Sequence, residues 1–344
     1  MWATACCISQ AELLQHHIAT EKFMTTDIMT TDITRSLIDS CRSRFSVGYS
    51  HFIHQTPLFK LPGKALGVNC AEVWLKLEHL QTGGSFKARG MLNRLLSNPI
   101  PASGVVIASG GNAGIAVAAA AQELGVRCEV FLPGVSSLAK RAKLAALGAH
   151  VVVVGSAYAD ALKASLERQQ QTGALLAHAY DQTEVVVGAG TLGAELEAQG
   201  GLPDSVLVSV GGGGLIGGIA SWFEQRSRVV ALEPELAPTL FKAREAGHPV
   251  DVNVGGVAAD SLGAKRIGDI AWQATQTHVR DALLLPDESI RAAQLWLWKE
   301  LKLAVEPAAA LPLAALHSKA YQPRADEKVC LIICGANLDP ATLV

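Results

Sequence analysis

The chain has 344 residues, of which 49% are hydrophobic and 17% charged, and its formal net charge is −2 at pH 7. This length suggests two domains, or one large domain with an inserted lobe, and the composition is too apolar for a disordered protein. Lys and Arg are scattered singly, which argues against a surface that binds nucleic acid or an anionic membrane. No apolar run reaches the roughly 18 residues of a membrane-spanning helix. Seven cysteines without CxxC spacing, together with no evident secretory signal, favour a reduced, cytoplasmic protein.

The first 50 residues predict an N-terminal arm. They are polar and nearly free of glycine, and Met24–Ile28 is echoed by Met29–Ile33. We expect a frayed arm without function before about residue 30. From Ile33 to Phe45 the spacing of apolar residues predicts a first amphipathic helix.

From residue 104 onward short apolar strands alternate with helices, which indicates parallel β-sheets. We expect residues 104–180 to form a small α/β domain, and residues 51–103 together with 181–344 to form a larger one. The predicted strands are Glu72–Glu78, Val105–Ala108, Arg127–Leu132, Ala149–Val154, Ser205–Val210, Arg228–Leu232 and Val329–Ile333. Helices are predicted at Tyr158–Thr172, Val185–Leu196, Ser289–Leu301 and Pro312–Ser318, with mixed helix and loop over 236–285.

The lysine that says most about function lies within residues 83–90. This segment follows the first of these strands and leads into a helix. Ser85 stands where a cap would accept an amide hydrogen of the helix. Lys87 then lies in the first turn, where the helix dipole disfavours a cation by roughly 0.3–1 kcal/mol. The same field, with partial burial, lowers the pKa of the amine from about 10.4 and preserves the neutral form that attacks carbonyls. Lys87 is therefore a candidate nucleophile, with a solvated surface lysine as the alternative.

Two glycine-rich loops follow strands and open helices. Gly211–Gly214 presents amide hydrogens with no side chain in the way, which is typical of a phosphate cradle at a helix N-terminus. A dinucleotide site is the competing interpretation, but only Glu233 approaches the position of its acidic residue. The second loop, Ser109–Gly114, has the room and the donors for a small carboxylate. Ser109 or Asn112 could instead simply cap the helix.

An amine, a phosphate cradle and a carboxylate cradle, all at strand-to-helix turns, suit one cofactor. Pyridoxal 5′-phosphate has an aldehyde for a lysine, a phosphate for a glycine loop and a ring that must be held at its nitrogen.

At this point the chain resembles the fold type II pyridoxal-phosphate enzymes, and within them the threonine/serine dehydratase and serine racemase branch. The motifs that carry the resemblance span about residues 54–340: Thr56-Pro57-Leu58, Gly84–Gly90, Ser109–Asn112, Gly190-Thr191, Gly211–Leu215, Glu306-Pro307 and Cys334–Asn337. The resemblance implies a tryptophan synthase β-like α/β fold, in which two parallel-type domains hold the cofactor in the cleft between them. It also implies a homodimer.

The resemblance further implies roles for individual residues. Lys87 would form the Schiff base, Asn112 would bond the 3-hydroxyl of the ring, and Cys334 would face the pyridine nitrogen. The implied cofactor-binding residues are Phe86, Lys87, Asn112, Gly211, Gly212, Gly213, Gly214, Leu215, Gly256, Glu306 and Cys334. The implied substrate-binding residues are Ser85, Ser109, Gly111, Asn112 and Ala113.

Three positions depart from the family pattern. Gly110 replaces a serine that acts as the second proton donor in racemases, which disfavours racemisation, and Ala113 replaces a histidine. The family's divalent-cation site is matched only by Glu233 and Ala237, with Thr239 where an acid is expected. We therefore assign no metal, and leave dependence on a divalent or monovalent cation open.

The function that these features predict is a lyase reaction: β-elimination from a small β-hydroxy amino acid of the serine/threonine class, giving a 2-oxo acid and ammonia. A thiol at the ring nitrogen would not hold it protonated, which favours concerted elimination. The alternatives are a β-replacement transferase, an amino-acid racemase and a non-catalytic cofactor or metabolite carrier. Gly255–Ala264 is expected near the site. Asp260 and Ser261 are expected to cap a helix, with contact to a substrate hydroxyl as the alternative.

Overall fold

The computed structural model describes residues 32–343, so the predicted frayed arm lies outside the described part of the chain. The strands are β1 (Leu58–Pro62), β2 (Glu72–Lys76), β3 (Val105–Ala108), β4 (Cys128–Leu132), β5 (His150–Val153), β6 (Leu175–Leu176), β7 (Ser205–Ser209), β8 (Arg228–Pro234), β9 (Val279–Leu285) and β10 (Lys328–Ile332). The helices are α1 (Arg35–Gly48), α2 (Lys87–Leu96), α3 (Asn112–Glu123), α4 (Leu138–Ala146), α5 (Tyr158–Thr172), α6 (Thr183–Gly200), α7 (Gly214–Phe223), α8 (Thr239–Ala246), α9 (Asp269–His278), α10 (Asp287–Leu301) and α11 (Pro307–His317).

Helix α1 confirms the predicted first amphipathic helix. The hydroxyl of Thr34 accepts a hydrogen bond from the amide of Leu37 and so caps its start. Ile38, Cys41 and Phe45 recur at helical spacing and are buried. Among the described helices, including α1, none is long and apolar enough to cross a bilayer.

A six-stranded sheet forms the larger layer, in the order β1-β2-β10-β7-β8-β9. β1 pairs antiparallel with β2, and every other neighbouring pair is parallel. The central strands β7 and β10 are almost continuously apolar and buried. This is the pattern of parallel strands that helices cover on both faces, so their carboxyl ends and following loops are left to build a site.

A second, four-stranded sheet has the order β5-β4-β3-β6, and all its strands are parallel. Its strands lie between residues 105 and 176, within the block that the sequence predicts as a small domain. The domain boundaries themselves stay a prediction. At the carboxyl end of β3 the chain turns through Ser109–Gly111 into α3, one of the two glycine loops of interest.

Two elements differ from the sequence-based expectation. β9 lies in the stretch expected to be mixed helix and loop, because its sequence, with Asp281 before three leucines, lacks strand alternation and pairing with β8 decides its conformation. α11 begins at Pro307, before the expected Pro312, and runs through that second proline. Pro312 leaves the carbonyl of Ala308 without its helical partner, and the hydroxyl of Ser209 donates to that carbonyl at 2.6 Å.

Glycines let α2, α6 and α7 pack backbone against backbone. A Cβ atom on Gly90 of α2 would lie 2.7 Å from the carbonyl oxygen of Val185 on α6. A Cβ atom on Gly218 of α7 would lie 2.4 Å from the carbonyl oxygen of Val186 and 2.5 Å from the amide of Gly190. α6 is thus the common support for the helix that carries Lys87 and the helix that follows the glycine loop.

Candidate active site

The lysine helix begins at Lys87 itself, with Phe86 at its N-cap position in a helical conformation and no side-chain cap. The predicted capping role of Ser85 is therefore wrong. Ser85 has an extended backbone because it forms an antiparallel bridge with Gly335, which turns its side chain away from the helix amides. Its hydroxyl is buried and has no partner in the described part of the chain, so it is free to bind a ligand.

The Lys87 amine points into the protein. Nζ donates to the carbonyl oxygen of Ala179 at 2.7 Å and lies 4.9 Å from the centroid of the Phe86 ring. Burial lowers the pKa of the amine to about 8, against the opposing electrostatic effects of Cys334 and Glu306. The prediction of a depressed pKa agrees with this environment. At neutral pH a larger fraction of this amine is therefore neutral and nucleophilic than in an ordinary lysine.

Asn112 belongs to a cluster of side chains that lie far apart in the sequence. Its side-chain amide donates to both oxygens of Glu306, at 2.9 and 3.0 Å. The side-chain amide of Asn337 donates to the Asn112 oxygen at 2.6 Å and to the carbonyl of Gly83 at 2.8 Å. Burial raises the pKa of Glu306 to about 7, although its bonds from Asn112 act in the opposite direction. Asn112 is thereby held in one orientation.

The segment after β10 docks against the lysine turn. The amide of Phe86 donates to the carbonyl of Cys334 at 3.1 Å, and the amide of Ala336 donates to the carbonyl of Gly84 at 2.9 Å. Burial raises the pKa of the Cys334 thiol well above its usual value, and Glu306 raises it further. Cys334 is thus a neutral thiol close to the lysine.

The glycine loop exposes backbone amides between β7 and α7. The carbonyl of Gly211 accepts a hydrogen bond from the Thr239 hydroxyl at 2.6 Å, and the carbonyl of Gly212 accepts one from the amide of Gly268 at 3.0 Å. In a trans peptide the amide hydrogen points away from the carbonyl of the same peptide. The amide hydrogens of Gly212 and Gly213 therefore face the side of the loop opposite to Thr239 and Gly268. Within residues 32–343 the amides of Gly211 to Gly213 have no hydrogen-bond acceptor. They are available to an anion.

Glycine is required in this loop for two reasons. Gly213 has φ +90°, in the left-handed region. A Cβ atom on Gly212 would lie 2.3 Å from the ring of Tyr180, and one on Gly213 would lie 2.5 Å from side-chain atoms of Ile267 and Ala271. The next predicted residue, Leu215, is buried in α7.

The segment from His178 to Asp181 links the lysine to the glycine loop, and sequence reasoning missed it. Ala179 accepts the hydrogen bond from Lys87, and the adjacent Tyr180 packs its ring against Gly212. Asp181 accepts hydrogen bonds from the first amides of α9. The contact to the lysine uses a backbone carbonyl, so no pattern of side chains in the sequence marks it. The bulky Tyr180, just before a long helix, was the one feature of the sequence that could have drawn attention to this segment.

The predicted carboxylate loop opens α3 without a side-chain cap, so the capping alternative for Ser109 and Asn112 does not apply. The helix starts at Asn112 with Gly111 before it, and Ala113 is buried in the first turn. A Cβ atom on Gly110 would lie 2.8 Å from Cδ2 of Leu132. The loop therefore offers backbone amides in a small space rather than side-chain donors.

The Gly255–Ala264 stretch lies against both glycine loops. A Cβ atom on Gly111 would be 3.8 Å from the carbonyl oxygen of Asp260, and one on Gly211 would be 3.1 Å from Cα of Leu262. Asp260 does not cap a helix as expected, because its carboxylate pairs with Lys140 on α4.

Gly256 has φ +78°, and a Cβ atom there would lie 2.6 Å from the Asp287 carboxylate. These contacts are with α10. The role of Gly256 in cofactor binding stays a prediction.

Glu233 and Ala237 do not fit a cation site. Glu233 is fully buried and accepts hydrogen bonds from the amides of Leu240 and Phe241, at 2.7 and 2.8 Å, at the start of α8. Thr239 stands where a second acid would be needed. In the described part of the chain no three His, Cys, Asp or Glu side chains are placed to hold a metal ion.

Together, the fold and the site define an α/β protein in which a buried lysine amine, a neutral thiol and a loop of unpaired backbone amides follow the carboxyl ends of parallel strands. A model of the pyridoxal-phosphate dependent enzyme family matches residues 49–335, and the chain belongs to this family. The predicted family, fold type and cofactor are confirmed. The unpaired loop amides and the Lys87 amine fit the phosphate and the aldehyde of that cofactor.

Curated relatives and solved structures are consistent with each other. The chain is 34% identical to an L-threonine ammonia-lyase of Thermotoga maritima over 279 residues, which is 79% of this chain and 69% of that protein. It is 32% identical to phenylserine dehydratase of Ralstonia pickettii over 302 residues, 85% of this chain and 90% of that protein. The crystal structure of a T.th. threonine deaminase superposes with a TM-score of 0.81 at 32% identity, covering 89% of this chain and 99% of the other. Maize serine racemase superposes with a TM-score of 0.83 at 28% identity, covering 91% and 96%.

Proposed function

We propose that the protein is a pyridoxal-phosphate-dependent ammonia-lyase that eliminates water from a small β-hydroxy amino acid of the serine/threonine class. The enamine that this elimination releases takes up water again and gives a 2-oxo acid and ammonia. The observation that carries this proposal is the Lys87 amine, which combines a pKa of about 8 with a position beside Cys334, Glu306 and the residues that lead to the glycine loop.

Lys87 has two tasks in this reaction. It would hold the cofactor covalently and, with substrate bound, its free amine would take the proton from Cα. The bound cofactor supplies a ring that withdraws electrons from Cα. Lys87 can then return the proton to the departing hydroxyl, so that water leaves and no net charge is left on the amine.

Other residues bind and orient. We propose that the amides of Gly211–Gly214 bind the cofactor phosphate, that Asn112 holds the ring hydroxyl, and that the amides of Gly111 and Ala113 bind the substrate carboxylate. Ser109 and the unpartnered hydroxyl of Ser85 are proposed to contact the substrate.

Two residues favour elimination over racemisation. Cys334, proposed to face the ring nitrogen, is a neutral thiol because burial raises its pKa, and it does not hold that nitrogen protonated as a carboxylate would. Gly110 has no side chain to deliver a proton to the second face of Cα. With weaker stabilisation of negative charge at Cα and no second proton donor, loss of the β-hydroxyl would be the favoured outcome.

The test is a screen for release of ammonia and 2-oxo acid from both stereoisomers of serine, threonine, phenylserine and 3-hydroxyaspartate. We expect turnover of at least one L-β-hydroxy amino acid, and none by Lys87→Ala. The exposed Lys64 provides the matched control, so Lys64→Ala should keep wild-type activity. An active Lys87→Ala variant would contradict the assigned role of the lysine.

The same samples distinguish the alternatives. Cysteine formed from O-acetylserine and sulfide without ammonia release would indicate a β-replacement transferase, and a change of stereochemistry at Cα would indicate a racemase. A protein that binds the cofactor yet changes none of these amino acids is a carrier. We also propose a cytoplasmic homodimer, as the family resemblance and the free cysteines suggest; light scattering and cell fractionation test this.

A further inference from the structure

Glu233 and Thr239 form a buried pair that ends on the glycine loop. Glu233 lies near the end of β8 and Thr239 at the start of α8, and both are fully buried. The Thr239 hydroxyl is 2.6 Å from the carbonyl oxygen of Gly211 and 2.9 Å from Oε1 of Glu233. The two carboxyl oxygens of Glu233 also accept the amide hydrogens of Leu240 and Phe241.

The single hydroxyl hydrogen of Thr239 limits the hydrogen bonds that this side chain can donate to one at a time. A threonine hydroxyl carries one hydrogen, and the Gly211 carbonyl carries none. That single hydrogen can go to the Gly211 carbonyl or to Glu233, and the shorter distance favours Gly211. Burial raises the pKa of Glu233 to about 7, against the hydrogen bonds from the amides of Leu240 and Phe241 and from Thr239, which lower it. The charged groups around it are Arg244 of α8, which lowers this pKa, and Asp281 of β9, which faces Arg244.

We propose that Glu233, acting through Thr239, is a positioning pair that orients and polarises the Gly211–Gly212 peptide for the phosphate of the cofactor. This proposal rests on the phosphate role proposed above for the glycine loop. A hydrogen bond received at the Gly211 carbonyl strengthens the Gly212 amide on the other side of the same peptide as a donor, because linked hydrogen bonds polarise one another.

Glu233 also holds Thr239 itself in place. Its carboxyl oxygens accept the amide hydrogens of Leu240 and Phe241, so the start of α8 is fixed and the Thr239 hydroxyl stays within hydrogen-bond distance of the Gly211 carbonyl. The pair lies where the family resemblance led us to look for a cation.

The experiment compares binding of pyridoxal 5′-phosphate with binding of pyridoxal, which lacks the phosphate but still reacts with Lys87. We expect Thr239→Val to raise the dissociation constant of pyridoxal 5′-phosphate about tenfold, in line with loss of one hydrogen bond to a buried group. Its affinity for pyridoxal should stay unchanged, which also shows that the variant is folded. Thr239→Ser, which keeps the hydroxyl, should restore the wild-type affinity for pyridoxal 5′-phosphate.

The matched control is Thr275, a fully buried threonine whose hydroxyl bonds only to its own helix, at Trp272. Thr275→Val should bind both ligands like the wild type. If Thr239→Val does not fold, Thr239→Cys takes its place; its thiol is a weaker donor, so its affinity for pyridoxal 5′-phosphate should fall below that of Thr239→Ser. Unchanged binding of pyridoxal 5′-phosphate by the Thr239 variant, or an equal loss for both ligands, would overturn the proposal. This experiment measures affinity for the two ligands, whereas the ammonia-lyase activity is measured with the wild-type protein. Either proposal can therefore fail without the other.

Discussion

At the scale of single residues, burial controls the chemistry of this site more than helix position does. The main cause of the low pKa of Lys87 is its removal from water, which the helix dipole at best reinforces. Removal from water acts in the opposite direction on Glu306, where it raises the pKa of an acid. Burial therefore keeps a base less charged and an acid more protonated at neutral pH.

The raised pKa of Glu306 predicts a pH-dependent stability. Between its unfolded value of about 4.5 and its folded value of about 7, the folded state binds more protons than the unfolded state. The contribution of Glu306 to the free energy of unfolding is thus present below pH 4.5 and is lost as the pH rises to about 7. We expect Glu306→Gln to remove its own share of the fall and to leave that of Glu233, whose pKa is also raised to about 7, as measured by urea unfolding of the cofactor-stripped protein across that range.

The control for this experiment is Glu300→Gln, which changes an exposed carboxyl on α10. Its curve of stability against pH should parallel that of the wild type. A Glu306→Gln curve that also parallels the wild type would show that the carboxyl is not perturbed in the folded protein.

At the scale of elements, the helices that carry the site are positioned by direct backbone contact. α2 and α7 both pack on α6 through glycines, and no side chain separates them at Gly90 and Gly218. Similarly, α11 tolerates an internal proline only because a hydroxyl on β7 takes over the freed carbonyl. The positions of Lys87 and of the glycine loop thus depend on residues that take no part in the chemistry.

Gly218→Ala tests this close packing. The new methyl group would lie 2.4 Å from a carbonyl oxygen on α6, and backbone at such a distance must move. We expect the free energy of unfolding to fall by about 3 kcal/mol, at the upper end for overpacked cores, in urea titrations. Gly48→Ala, where nothing lies within 4 Å of the new methyl group, should be neutral or slightly stabilising. Equal stabilities of the two variants would refute the packing argument.

At the scale of the whole molecule, a buried ionic network ties the segment before β1 to β2, α2 and α6. Arg89, two residues after Lys87, donates to Glu78 at 2.6 and 3.1 Å and to Glu195 at 2.9 Å. Lys76 donates to the same Glu195 and to the carbonyl of Thr56. Two cations and two carboxylates balance in charge, so the network can be buried without a net charge.

Removing Arg89 should therefore unbalance the network. We expect Arg89→Met to lower the free energy of unfolding by about 3–5 kcal/mol, because Glu78 would be left buried without its ionic partner. Arg228→Met, at a pair with Asp281 that is half exposed, should cost less than about 1 kcal/mol. Chemical denaturation of both variants measures the difference, and a loss of similar size in both would argue against a special role for the buried network.

Several features of the protein were determined by the sequence alone, because they depend on residues that are neighbours along the chain. Alternating apolar strands and helices predicted the parallel sheets, and Gly211–Gly214 between a strand and a helix predicted an anion cradle. Lys87 at the start of its helix was recognisable because the residues that place it there are its neighbours in the sequence. The surrounding motifs pointed to the family and its cofactor.

The tertiary structure alone decided which groups meet, because those groups are far apart in the sequence or belong to the backbone. Ser85 appeared to be a cap until its pairing with Gly335 put its backbone in an extended conformation. The acceptor for Lys87 is a carbonyl of Ala179, which no side-chain pattern reveals. The raised pKa values of Glu233 and Glu306 follow from burial, and burial is a property of the packed molecule rather than of any local stretch of residues.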